Sequence, residues 1–140
     1  MRYHRIVVIC IVLTYIYAQY QYSSGNWSHT NGQLKVSGSK VNGSDEGEWT
    51  WFYENGKKQI QGNFIKGKRN GLWTTWDSLG NKVAESNYYN DKLNGQLIQY
   101  YPDGKKKSEC QYSNDVPIGP VIRYDQNGIP TSDPPMKGSQ

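Results

Sequence analysis

Residues 47–76 read "GEWTWFYENGKKQIQGNFIKGKRNGLWTTW", and the segment begins to copy itself before it ends: the Gly-x-Trp-Thr that opens at Gly47 returns at Gly71. The interval is 24 residues, and it persists. Gly32, Gly56, Gly80, Gly104 and Gly128 keep it, and so do Gly47, Gly71, Gly95 and Gly119. Segments 47–70, 71–94, 95–118 and the partial 119–129 superpose without an insertion. The sixth position is always aromatic (Phe52, Trp76, Tyr100, Tyr124) and the third always apolar (Trp49, Trp73, Leu97, Val121). A fixed period of this length marks a repeat architecture, whose units bury apolar surface against their neighbours rather than alone.

Each unit reads as a β-hairpin. A first strand carries the β-formers, and a turn follows at Asn55-Gly56, Leu79-Gly80, Asp103-Gly104 and Asn127-Gly128. Asn-Gly and Asp-Gly suit tight turns because such turns require positive φ. The second strand alternates: Ile60, Gly62 and Phe64 share one face, while Gln59, Gln61 and Asn63 share the other. The sixteenth position stays small (Gly38, Gly62, Ser86, Cys110), which predicts that a neighbouring aromatic ring lies over it. A polar segment of the type "KGKRNG" or "NDKLNG" then leads to the next unit. In the first strand, positions 3 and 6 have opposite parity. Either a bulge resets the phase or the sheet carries aromatics on both faces; the second is expected for part of the array, since a single layer has nothing to cover it.

The ends depart from the pattern. Upstream, 19–46 reads as a degenerate N-terminal repeat, a cap, with Trp27 two positions out of line. Downstream, 130–140 holds three prolines in six residues and reads as a flexible tail without the last unit's second strand. The expected fold is therefore all-β: an elongated, single-layer antiparallel array of about five tandem hairpins.

A signal peptide is expected ahead of it, over 1–18. "MRYHR" is basic, "IVVICIVLTYIY" is an apolar run, and Ala18 precedes Gln19. The run is shorter than the roughly 20 residues of a membrane span. Export follows, to a periplasmic, extracellular or envelope-associated place; an uncleaved N-terminal anchor is the alternative, because Ile16 fits the cleavage rule poorly. Removing Arg2 and Arg5 from the 16 basic residues leaves 14 against 12 acidic ones, a net charge near +2. That balance argues against nucleic acid, whose binders carry a strongly basic face. Cys110 would then be the sole cysteine, so no internal disulfide forms.

Gly47, Trp49, Phe52, Asn55, Gly56 and Lys57, with their counterparts Gly71, Trp73, Trp76 and Gly80, and Gly95, Tyr100, Asp103, Gly104 and Lys105, resemble the MORN-repeat superfamily. The likeness is greatest to the bacterial variant labelled a YwqK-type antitoxin. It implies an elongated, twisted antiparallel β-array used for protein–protein or membrane association, and no reaction.

The residues themselves point away from catalysis. His29 has no sequence tie to Cys110 or a serine, and reads as an exposed loop histidine. Glu85 and Glu109 stand one repeat apart, about 10 Å across two strand spacings, a separation compatible with an inverting glycosidase. Gln61 takes the same place, however, so a solvated face is the simpler reading. No spacing matches a metal site, and the Asp and Asn beside the turn glycines serve turn formation. No cofactor is expected. Two features point to binding. The aromatics Trp49, Phe52, Trp73, Trp76 and Tyr100 are scaffold or anchor residues for a protein partner. The lysines Lys57, Lys58, Lys82, Lys105, Lys106 and Lys107 would line one end as a basic stripe for an anionic lipid, the envelope surface or an acidic partner. Open edge strands add self-association as a further expectation.

Overall fold

The computed structural model describes residues 10–14, 22–24 and 26–131. The expected signal segment and the tail beyond Thr131 lie outside these residues, apart from a helical turn at 10–14. None of the described helices is long and apolar enough to cross a membrane. The described strands are β1 (Tyr22–Ser24), β2 (Trp27–Ser28), β3 (Leu34–Val41), β4 (Ser44–Phe52), β5 (Lys58–Ile65), β6 (Lys68–Trp76), β7 (Lys82–Tyr89), β8 (Lys92–Tyr100), β9 (Lys106–Ser113), β10 (Val116–Pro117), β11 (Ile122–Tyr124) and β12 (Pro130–Thr131). They form one open antiparallel sheet in the order β1-β3-β4-β5-β6-β7-β8-β9-β11-β12, with β2 also on β3 and β10 also on β9. Pro130 and Thr131 pair with Tyr124 and Arg123, so the last unit keeps the start of its second strand.

Two kinds of turn alternate along the meander. At one end stand five-residue turns, His29–Gln33, Tyr53–Lys57, Asp77–Asn81, Tyr101–Lys105 and Asp125–Ile129, each closed by two backbone hydrogen bonds. At the other end two-residue turns carry positive φ at both residues: Asn42-Gly43, Lys66-Gly67, Asn90-Asp91 and Asn114-Asp115. This is the type I′ geometry, whose twist matches that of paired strands. The polar segments expected to link one unit to the next are therefore strand and turn. β6 opens at Lys68 and β8 at Lys92, ahead of Gly71 and Gly95, so each strand from β3 to β9 is shared between two hairpins.

Bulges set the phase. Gln61 pairs with Thr74 but Asn63 pairs with Asn70, so Gly71, Leu72 and Trp73 together face Gly62. Gly71 supplies the φ of 75° that this loop of strand needs. The same two extra residues recur in β4 and β8. A second bulge separates Trp51, paired with Ile60, from Phe52, paired with Lys58. Both resolutions of the parity conflict are thus realised: bulges are present, and aromatics occupy both faces.

The bulge folds each tryptophan back over the preceding strand. A Cβ built on Gly38 would lie 2.1 Å from the Trp49 ring, and one on Gly62 would lie 2.1 Å from the Trp73 ring. The small sixteenth position is explained. Trp49 and Trp73 join Val36 and Cys110 as the buried apolar side chains among the described residues, with Trp49 only 2% exposed.

Two expectations about the first unit change. Trp27 lies 24 residues before Trp51 and does the same work: it pairs with Val36 as Trp51 pairs with Ile60, and its ring sits 6.0 Å from Trp49 as Trp51's sits 5.8 Å from Trp73. His29 is half-buried and holds the place of Tyr53 and Tyr101. Its Nε2 donates to the Phe52 carbonyl at 2.9 Å, as the two tyrosine hydroxyls donate to the Trp76 and Tyr124 carbonyls at 2.9 Å. Each bond ties one five-residue turn to the strand end of the next unit.

Substituting Gly62→Ala is expected to destabilise the chain by about 1–3 kcal/mol or more, because Trp73 must leave its seat. Ser86→Ala, in the same slot, should change stability by less than about 1 kcal/mol. Urea midpoints of the two variants measure this; a Gly62→Ala midpoint equal to wild type would contradict it.

Candidate functional site

The alternation of the strands sorts the candidate residues onto opposite faces. One face carries a continuous ring network. Trp27 meets Trp49 at 6.0 Å; Trp49 meets Trp51 and Phe64; Trp51 meets Trp73 at 5.8 Å; Phe64 meets Trp73 edge-on at 5.0 Å; Trp73 meets Tyr88 at 6.1 Å. These separations are those of favourable aromatic pairs. Trp49 and Trp73 are the buried roots of the network, which makes them scaffold. Trp51, Phe64 and Tyr88 are half-buried, and Trp27 is 52% exposed. Beyond Tyr88 the network thins: Thr75, Gln99 and Arg123 stand where Trp27 and Trp51 stood. The Trp49 indole donates to the Ser39 carbonyl at 3.1 Å, whereas the buried Trp73 indole N–H has no partner among the described residues.

Phe52, Trp76 and Tyr100 stand on the opposite face, so the five expected anchors do not form one surface. There the 24-residue period aligns three sets. Lys58 Nζ donates to Gln61 Oε1 at 2.9 Å and lies over Trp76. Lys82 pairs with Glu85 at 2.5 Å, and the Tyr100 hydroxyl donates to the other carboxylate oxygen at 2.5 Å. Lys106 pairs with Glu109 at 2.8 Å, and the Tyr124 hydroxyl donates to it at 2.5 Å. Lys82 also lies over the Tyr100 ring, at 5.3 Å.

The electrostatics follow from these contacts. The Lys82 ammonium, then the Tyr100 hydroxyl, hold the Glu85 carboxyl below its ordinary value of 4.5; Lys106 and then Tyr124 do the same for Glu109. Burial, with Glu85 beside it, pushes Tyr100 up to about 12. An inverting glycosidase needs one carboxylic acid with a raised pKa as proton donor. Neither glutamate is set up for that role.

The six lysines of the expected basic stripe all have partners within the chain. Lys57 Nζ reaches across to the Leu79 carbonyl at 2.6 Å, and Lys105 Nζ to the Gln126 carbonyl at 2.7 Å, each tying two stacked turns together. Lys58, Lys82 and Lys106 belong to the three sets. Lys107 lies over the Tyr101 ring. At the other end, Arg69 stacks on Tyr88 at 4.0 Å and bonds Asp91 of the next turn. The Asn81 side-chain amide and then backbone amides of its own turn lower the Asp77 carboxyl, and the backbone amides of Ile129 and Asn127 lower that of Asp125. Among the described residues no three His, Cys, Asp or Glu side chains converge as a metal site would require. Cys110 is buried in its packing slot, its thiol near the Gly119 carbonyl.

This geometry defines a class: an open β-meander repeat protein whose functional groups recur along two faces rather than converging on one pocket. The repeat profile described as "MORN repeat variant" matches residues 45–66 and 93–114, so these two segments are similar to MORN repeats. Comparison with curated proteins gives no match.

The pKa directions give a pH test. The depressed Glu85 and Glu109 carboxyls stabilise the fold above pH 4.5, and that contribution disappears as pH falls below 4.5 through their folded values. Tyr100 is raised, so its contribution is complete below pH 10 and is lost between 10 and about 12. Glu85→Gln should flatten the acid limb and bring Tyr100 part of the way back towards 10. Tyrosinate absorbance, assigned with Tyr100→Phe, follows this; an unmoved Tyr100 titration would contradict the Glu85–Tyr100 bond.

Proposed function

We propose that this chain is an exported, non-catalytic repeat scaffold that binds a protein partner across the aromatic face running from Trp27 to Tyr88. One observation carries the reading: seven ring-to-ring contacts make a continuous apolar strip, and no second layer of described residues covers it. Rigid, part-exposed aromatics are the side chains that dominate protein interfaces, because they offer large area at low entropic cost. The buried roots at Trp49 and Trp73 fix the rings, and Trp27, Trp51, Phe64 and Tyr88 make the contact. Export rests on the basic start, the apolar run and Ala18.

The lysine stripe supports membrane or envelope association less well, since its members are already engaged within the chain. Antitoxin action rests on the likeness of the repeats alone and would place the partner in the cytoplasm.

The test is recovery of the C-terminally tagged chain from its own host. The expected result is a chain starting at Gln19 with a stoichiometric protein partner. That partner should be lost with Trp27→Ser and Trp51→Ser together, and kept when Lys105, Lys106 and Lys107 become glutamine. A chain still starting at Met1, or binding only to anionic vesicles and only at low salt, would overturn it.

A further inference from the structure

The face opposite the rings carries an order of its own. Its three sets repeat the same sequence of chemistry: a lysine, a carboxylate or carboxamide three residues on, and an aromatic ring from the neighbouring unit. They are Lys58, Gln61 and Trp76; Lys82, Glu85 and Tyr100; Lys106, Glu109 and Tyr124. Consecutive sets lie two strands apart, which places them about 10 Å from one another. All three rings and all three acceptors are half-buried, and all but the Trp76 ring are fixed by hydrogen bonds. Past the last set the face ends in a cavity of about 190 Å³, lined by Gln96, Glu109, Gln111, Gly119, Pro120 and Ile122, so Glu109 belongs to both.

We propose that this face docks a linear, uncharged β-1,4-linked glycan lying across the strands, one disaccharide to each repeat, with one end at the cavity. Period is the first argument. Two strand spacings are close to the length of one disaccharide of such a polymer, so equivalent sugars would meet equivalent sets. An extended peptide repeats every two residues, about 7 Å, and falls out of step after one set. Charge is the second. Glu85 and Glu109 neutralise Lys82 and Lys106, leaving one net positive charge, on Lys58, across the three sets. An anionic membrane or polymer would favour an unneutralised lysine row. A polyhydroxylated chain instead matches carboxylates and a carboxamide whose oxygens keep lone pairs beyond those given to lysine and tyrosine, beside half-buried aromatic rings. Each set alone would bind weakly. Three linked by one ligand bind with an effective concentration that multiplies their affinities.

The site is separate from the aromatic face proposed for a protein partner, so each reading stands or falls by itself. The test is calorimetric titration of the full mature chain with the β-1,4-linked hexamers of N-acetylglucosamine and of glucose, and with the corresponding dimers. At least one hexamer should bind tenfold or more tightly than its dimer, with one hexamer per chain. Tyr100→Ala and Glu85→Gln should each weaken the hexamer fivefold or more, while Trp27→Ser on the other face leaves it unchanged. Circular dichroism of each variant checks folding, and amide shifts of wild type on adding hexamer should centre on Gln61, Glu85 and Glu109. The proposal is overturned if neither hexamer binds at millimolar concentration. It is equally overturned if the amide shifts fall on the ring-network face, or if the face binds acidic peptides or anionic vesicles in place of the hexamers.

Discussion

The structure depends on one contact: a tryptophan ring lying flat on a glycine of the preceding strand. A single β-layer has no partner layer, so it must find buried surface within its own thickness. Trp49 over Gly38 and Trp73 over Gly62 supply it, with a bulge at Gly47 or Gly71 turning each ring back over its neighbour. The absence of a side chain at Gly38 and Gly62 lets the rings reach the backbone, and the other rings then gather around these two. Where the slot holds Ser86, the residue paired with it is Leu97 in place of a tryptophan. Volume is exchanged across the contact while the period is kept.

Around this contact the turns form two ladders of their own. At one end His29, Tyr53 and Tyr101 bond the next unit's backbone, reinforced by Asn31, Asn55, Lys57 and Lys105. At the other, the amides of Gly67, Asp91 and Asp115 bond the Asp45, Arg69 and Leu93 carbonyls. Stability is thus a sum of interactions between neighbouring units, as in other repeat arrays. The same geometry decides what the protein can do. Among the described residues, chemically equivalent groups are copied along a face at a fixed interval.

Much of this was legible in the residues. The 24-residue period, the Asn-Gly turns and the small sixteenth position are sequence signals with a direct physical meaning, and the hairpin array followed from them. The second turn was less visible because its residues vary. Lys66 adopts a φ of 52° and Asn90-Asp91 stand without glycine, yet Asn42, Lys66, Asn90 and Asn114 keep the 24-residue interval that would have revealed them. Trp27 reads as out of line when set against Trp49; set against Trp51, 24 residues on, it falls in phase, as His29 does with Tyr53 and Tyr101. The lysines looked available because sequence shows spacing but not reach. Only the folded chain shows Lys57 arriving at the next turn's carbonyl, or Glu85 placed between Lys82 and Tyr100.

The most direct test of this account is proton NMR of the Gly38 and Gly62 α-protons. With Trp49 and Trp73 lying over them, these protons should be shifted strongly upfield by the ring currents and show cross-relaxation to the indole protons. Glycine α-protons at ordinary strand positions, without contacts to either indole, would contradict it and leave the sheet without its principal source of burial.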